Sequence, residues 1–189
     1  MTKLLDSVRA CWSYHAALMG AGLDSIVTEF SHLTAQYFAL CSDRSTERTA
    51  WLGRIEIAIA ELYAVGLQLP LTEPSDQDAP EMPIEDARRL MLEISETLGE
   101  TPRHYSFVFH PVQVIESVVG GDLAEDLASI YEDLHDGTAL LATGGSAEDV
   151  IWAWYIGFQI HWGRHALGAL QAINDILRSP GALPDYQAP

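Results

Sequence analysis

Lysine is almost missing from this chain of 189 residues: Lys3 stands alone, and with the arginines it makes 10 basic residues against 27 acidic ones, a formal charge of −17. So acidic a surface repels phosphate backbones and anionic lipid, which argues against nucleic acid and membrane surfaces as partners. Cysteine is nearly as scarce. Cys11 and Cys41 lie in apolar helical patterns with no CxxC or Cys/His cluster beside them. Neither a disulfide framework nor a structural zinc site is indicated, and reduced thiols in a cytosolic protein are expected. Long apolar runs are lacking as well, since nothing approaches the ~20 residues of a membrane span. Asp6 and Arg9 interrupt the short N-terminal apolar run, which therefore does not read as a signal peptide. The expected location is the cytoplasm. The common catalytic signatures are also missing. GDLAED and ATGGSAED lack the order of a phosphate loop, and no Ser or Cys has a His and an acid at suggestive spacing.

What is present is a core. A hydrophobic content of 48% with five Trp excludes a disordered chain, and the length suits one compact domain over 1–189. A helix is expected in the first 22 residues, with Leu4, Leu5, Val8, Cys11 and Trp12 on one side, and Asp24 is expected to cap a second helix. Apolar residues then recur at Ile26, Val27, Phe30, Leu33, Tyr37 and Leu40, and again at Trp51, Leu52, Ile55, Ile59 and Leu62. With only a short polar turn between them, these two runs make a helical hairpin. PLTEPSDQDAPEMP, residues 70–83, holds four prolines and four acids and predicts a mobile surface loop. A helix over 84–98 comes next. Around His110-Pro111 the pattern changes to an extended segment, about 105–115, crossing the core, with His110 as a buried, hydrogen-bonded histidine. Asp122 and Glu125 resemble a capping box opening a helix that Gly144-Gly145 closes, and Ser146 caps a last helix from about 147 to 177. A flexible tail over 179–189 completes an all-α bundle of about five to six helices.

The last helix carries the most informative stretch, WAWYIGFQIHWGRHAL at 152–167. At 100° per residue, Trp152, Tyr155, Phe158 and Trp162 fall on the core face, and Trp154, Gly157, His161, Arg164, His165 and Gly168 on a polar stripe. Gly inside a helix costs roughly 1 kcal/mol relative to Ala, so Gly157 and Gly168 suggest that another backbone or a ligand comes close. Arg164 is the only Lys or Arg between Arg103 and Arg178, an interval with ten Asp and Glu residues. Its expected partners are Asp126 and Asp133, seven residues apart on the neighbouring helix. Such contacts are either an ion pair tying two helices together or one wall of a pocket in which the Arg164 fork clamps an anion.

His161 and His165 stand at i and i+4, a spacing at which two imidazoles can share a metal. The Glu of HExxH is absent, because Trp162 follows His161. ExxH occurs at Glu29–His32 and Glu132–His135, as in di-iron bundles, but these side chains lie off the apolar faces, where ligands could not project inward.

Three stretches, GGDLAEDLASIYEDL at 120–134, WAWYIGFQIHWGRHA at 152–166 and the hairpin from about 25 to 70 ending in LYAVGLQLP, resemble an uncharacterised bacterial family known only as a domain of unknown function. The resemblance covers most of 23–177 and implies an all-helical, cytosolic bacterial protein. It implies no activity.

The leading expectation is a non-enzymatic binding or interaction module. Its pocket would be formed by Trp154, His161, Arg164, His165, Asp126 and Asp133, its ligand a small anionic molecule or a protein partner, and no cofactor is indicated. One alternative is a metal-dependent enzyme using His161 and His165 with a carboxylate such as Asp126. Another is a structural module, monomer or homodimer, dimerising through apolar surface that includes residues 4–16.

Overall fold

The computed structural model describes residues 22–43, 45–75, 77, 79–99, 101, 103–108 and 118–178. The expected N-terminal helix, Cys11, His110 and the 179–189 tail lie outside them. The described elements are α1 (Leu23–Ser42), α2 (Arg48–Gly66), α3 (Ile84–Leu98), β1 (His104–Val108), β2 (Val118–Asp122), α4 (Leu123–Ala142), α5 (Ala147–Gly157), a π-helical turn (Phe158–Trp162) and α6 (Gly163–Arg178). This is the expected helical bundle with one small hairpin added.

Local chemistry sets the helix ends. Between α1 and α2 the Asp43 carboxylate accepts from the Ser45 amide and from the Ser45 and Thr46 hydroxyls at 2.6–2.8 Å, and Glu47 caps α2 by accepting from Thr49 and Ala50. Asp24 is in the first turn of α1, and Gly22 takes the cap position instead. Asp122 and Ser146 cap α4 and α5 as expected.

The helices close around buried aromatic rings. Phe30 lies 4.6 Å from Trp154, and Phe158 lies 4.8 Å from Trp162, centroid to centroid. Burying an indole or phenol requires a partner for its polar atom, and each has one. Tyr37 donates to the Leu127 carbonyl, Trp51 to that of Leu40, Trp154 to that of Leu134 and Trp162 to that of Trp154. α4 packs against α3, α5 and α6, while α2 packs against α1 and α6. Cys41 is a buried thiol. No described helix is long and apolar enough to cross a membrane.

Two elements differ from expectation. The extended segment does not cross the core where it is described. β1 pairs antiparallel with β2 in the register His104↔Asp122, Tyr105↔Gly121 and Phe107↔Val119, and His104, Ser106, Val118, Val119 and Gly120 are exposed. The last helix is not one uniform α-helix either. On an ideal α-helix Trp154 and Ala166 would point about 120° apart, yet both are fully buried. The π turn between them takes up one additional residue and brings them onto one face. Gly163 ends this turn, where a Cβ would lie 2.5 Å from the Phe158 carbonyl oxygen.

Candidate functional site

α4 presents Asp126, Asp133 and Asp136 along the side that meets α5, the π turn and α6. The π turn places His161 opposite Asp133, and the first turn of α6 places His165 opposite Asp126. His161 Nδ1 lies 2.9 and 3.1 Å from the two Asp133 oxygens, and His165 Nδ1 lies 2.8 Å from Asp126 Oδ1. Asp133 also accepts from the Trp162 amide at 3.1 Å. The free edges of the rings meet, with the two Nε2 atoms 3.3 Å apart. Tyr105 reaches in from β1 and donates to Asp126 Oδ2 at 2.7 Å. Five side chains thus form one continuous polar chain, Tyr105–Asp126–His165–His161–Asp133.

The environment tunes these groups. The hydrogen bond to Asp126 raises the His165 pKa against the opposing effect of burial. Burial raises that of Asp133, opposed by His161, and burial followed by the bond to Asp126 raises that of the Tyr105 phenol. At the two stripe glycines side chains come close, where another backbone or a ligand was expected. A Cβ on Gly168 would collide with the Tyr105 hydroxyl, and one on Gly157 would crowd Asp133 Oδ2 at 3.3 Å.

Next to this chain lies a cleft of about 550 Å³, within the range of small-molecule sites. His161, Asp133 and Asp136 form one wall, and Trp152, Ala153, Ile156 and Ile160 form the apolar side. Leu140, Asp149 and Gly157 also line the cleft, and the proline-rich segment supplies Pro74, Ser75, Gln77 and Ala79. It is anchored where it runs over the start of α5: the Thr72 hydroxyl donates to the Glu148 carbonyl at 2.7 Å, and the Ser75 amide donates to Asp149 at 2.6 Å. The Ser146 hydroxyl, then the Ser75 amide, hold the Asp149 pKa down. Asp136 has the opposite fate. Burial, then the neighbouring Asp133 charge, pushes it up to about 6.

Of the residues singled out from sequence, the structure brings together His161, His165, Asp126 and Asp133. Two others stand elsewhere. Trp154 is fully buried beneath α4, because the π turn shifts the faces on which the helical wheel had placed it. Arg164 is exposed and does not line the cleft, and the ion pairs at Asp126 and Asp133 are made by histidine. Tyr105, Asp136 and Trp152 were not anticipated. The i, i+3 spacing of Asp133 and Asp136 was visible in the sequence, whereas Trp152 was assigned to the core and Tyr105 to the crossing segment.

Residues 22–179 match the model of a domain of unknown function, DUF5063. The chain belongs to this family. No curated protein matches it. A solved structure, that of protein BF1032 from Bacteroides fragilis, a structural-genomics target, is similar with a TM-score of 0.71 at 22% identity. The match covers 85% of this chain and 97% of BF1032. At that identity the likeness establishes a shared fold, which this DUF5063 chain builds around the α4–α6 seam.

Proposed function

We propose that the protein is a small-molecule binding module whose cleft takes an organic cation, an ammonium or guanidinium group on an apolar body. The observation that carries this reading is the lining: three aspartates and a tryptophan, with no Lys or Arg among the lining residues. Asp133 and Asp149 are held by close hydrogen bonds within the protein, whereas Asp136 meets His135 at 3.9 Å, so Asp136 is the carboxylate placed to receive a ligand. Trp152 offers a ring face, worth about 0.5–2 kcal/mol to a cation that sits on it. The anion expected from Arg164 fits this cleft poorly, since it would meet carboxylates on entry.

Calorimetric titration with three compounds of similar shape tests the reading: 2-phenylethylammonium, neutral 2-phenylethanol and anionic 3-phenylpropanoate. Saturable binding of the ammonium alone, weakened at least tenfold by Asp136→Asn and by Trp152→Ala, is expected. Preference for the anion, or equal uptake of all three, contradicts it.

A further inference from the structure

We infer that His161 and His165 form a two-histidine site for one divalent ion of the zinc class, with Asp126 and Asp133 as the carboxylates that orient them. The orientation of the ring nitrogens is the first ground. A metal-bound histidine typically donates its other N–H to a carboxylate, which fixes the tautomer and aims the remaining lone pair. Both rings meet that condition through Nδ1, at 2.8 Å to Asp126 and 2.9 Å to Asp133. Both therefore turn Nε2 toward a common point.

The separation of those Nε2 atoms is the second ground. A tetrahedral zinc with bonds of about 2.0–2.1 Å holds two ligand nitrogens about 3.3–3.4 Å apart. The Nε2 atoms stand 3.3 Å apart. Without metal, the same distance suits an N–H···N hydrogen bond, so the metal-free protein holds the pair in register with a proton where the ion would go. The π turn contributes by carrying His161 into line with His165 and Asp133, and π turns of this kind recur at functional sites.

Among the described residues no three His, Cys, Asp or Glu side chains group as metal ligands. Two coordination positions are thus left to water or to a bound molecule, on the side where His161 is about half exposed. His161 lines the cleft and His165 does not, so the metal site borders the cleft through one ligand, and its test uses the ion alone.

The test is titration of metal-free protein with Co2+ and Zn2+, read by visible absorption and calorimetry. The expected result is one ion per chain, with the intense visible bands of tetrahedral cobalt, displaced by zinc. His161→Ala and His165→Gln should both abolish the bands, and Asp126→Asn should weaken binding about 10- to 100-fold. His165→Gln keeps an N–H for Asp126, and circular dichroism checks that each variant is folded. Should His165→Gln fail to fold, His161→Ala at the more exposed ring decides the question alone. Only the weak bands of octahedral cobalt, no saturable uptake, or uptake unchanged in folded His161→Ala, as diffuse binding to an acidic surface would give, overturns the inference.

Discussion

Asp126 carries more of the seam than any other residue. It is a buried carboxylate, 6% exposed, whose two oxygens accept from Tyr105 and His165. Gly168 exists beside it because the Tyr105 hydroxyl occupies the space a Cβ would need. Gly168→Ala gains up to about 1 kcal/mol of helix propensity, but the collision costs about 1–3 kcal/mol, so the variant should unfold at lower urea. In a Tyr105→Phe background the hydroxyl is gone and that penalty should largely disappear, a coupling read from a double-mutant cycle. Additive losses would show that Tyr105 does not sit over Gly168. Asp136 makes stability depend on pH. Its pKa is raised to about 6 by burial, by Asp133 and by Glu81, against the opposing His135. A raised carboxyl stabilises the fold fully only below its unfolded value of about 3.9, and that contribution is lost as pH rises through 6. With its side chain 37% exposed, the ionised form costs on the order of 1 kcal/mol after screening. Asp136→Asn should therefore raise the melting temperature above pH ~7 and leave it nearly unchanged below pH ~4. An equal shift at both pH values would contradict this.

At the scale of elements, the π turn decides what the last helix presents. Periodicity and capping chemistry, which are local, identified that helix and its Ser146 cap and set the histidines on the polar stripe. The partner expected for Asp126 and Asp133 was Arg164, and histidines take that place. Periodicity misplaced Trp154 and Trp152, because one additional residue inside a helix rotates everything beyond it by about 100° and leaves no mark in composition. Gly163 is the nearest thing to a mark, and its reason is visible only once the Phe158 carbonyl is placed. Removing the exposed Gln159 should turn the segment into plain α-helix with the aromatic core intact, changing stability by no more than about 1 kcal/mol. His161 would then leave Asp133. Gly163→Ala should cost about 1–3 kcal/mol in the full-length turn and little once Gln159 is deleted. Chemical denaturation of the four proteins reads both effects. A Gly163→Ala penalty that survives the deletion would mean that the π turn is not its cause.

Across the whole molecule, the bundle was legible in the sequence and the hairpin was not. Five apolar helical repeats with caps specify a bundle without further information, and family membership and the BF1032 fold agree with it. The strand pair escaped because Val118, Val119, Gly120 and Gly121 do not alternate apolar with polar, and its inner face, carrying Tyr105 and Phe107, is only part-buried. The cleft escaped for another reason. It needs Pro74, Ser75, Gln77 and Ala79 laid beside α4 and α5, and long-range docking through Thr72 and Ser75 leaves no periodic trace. The charge of −17 gives the cleft an external field that raises the local concentration of cations and lowers that of anions. Binding there should weaken with added salt, more than a purely apolar pocket would. The most direct measurement is an amide and indole NMR titration with 2-phenylethylammonium. The account predicts saturating shifts confined to Trp152, Asp133, Asp136, His161 and the 74–79 segment, absent with 3-phenylpropanoate. Shifts centred on Arg164, or produced by the carboxylate and not by the ammonium, would contradict it.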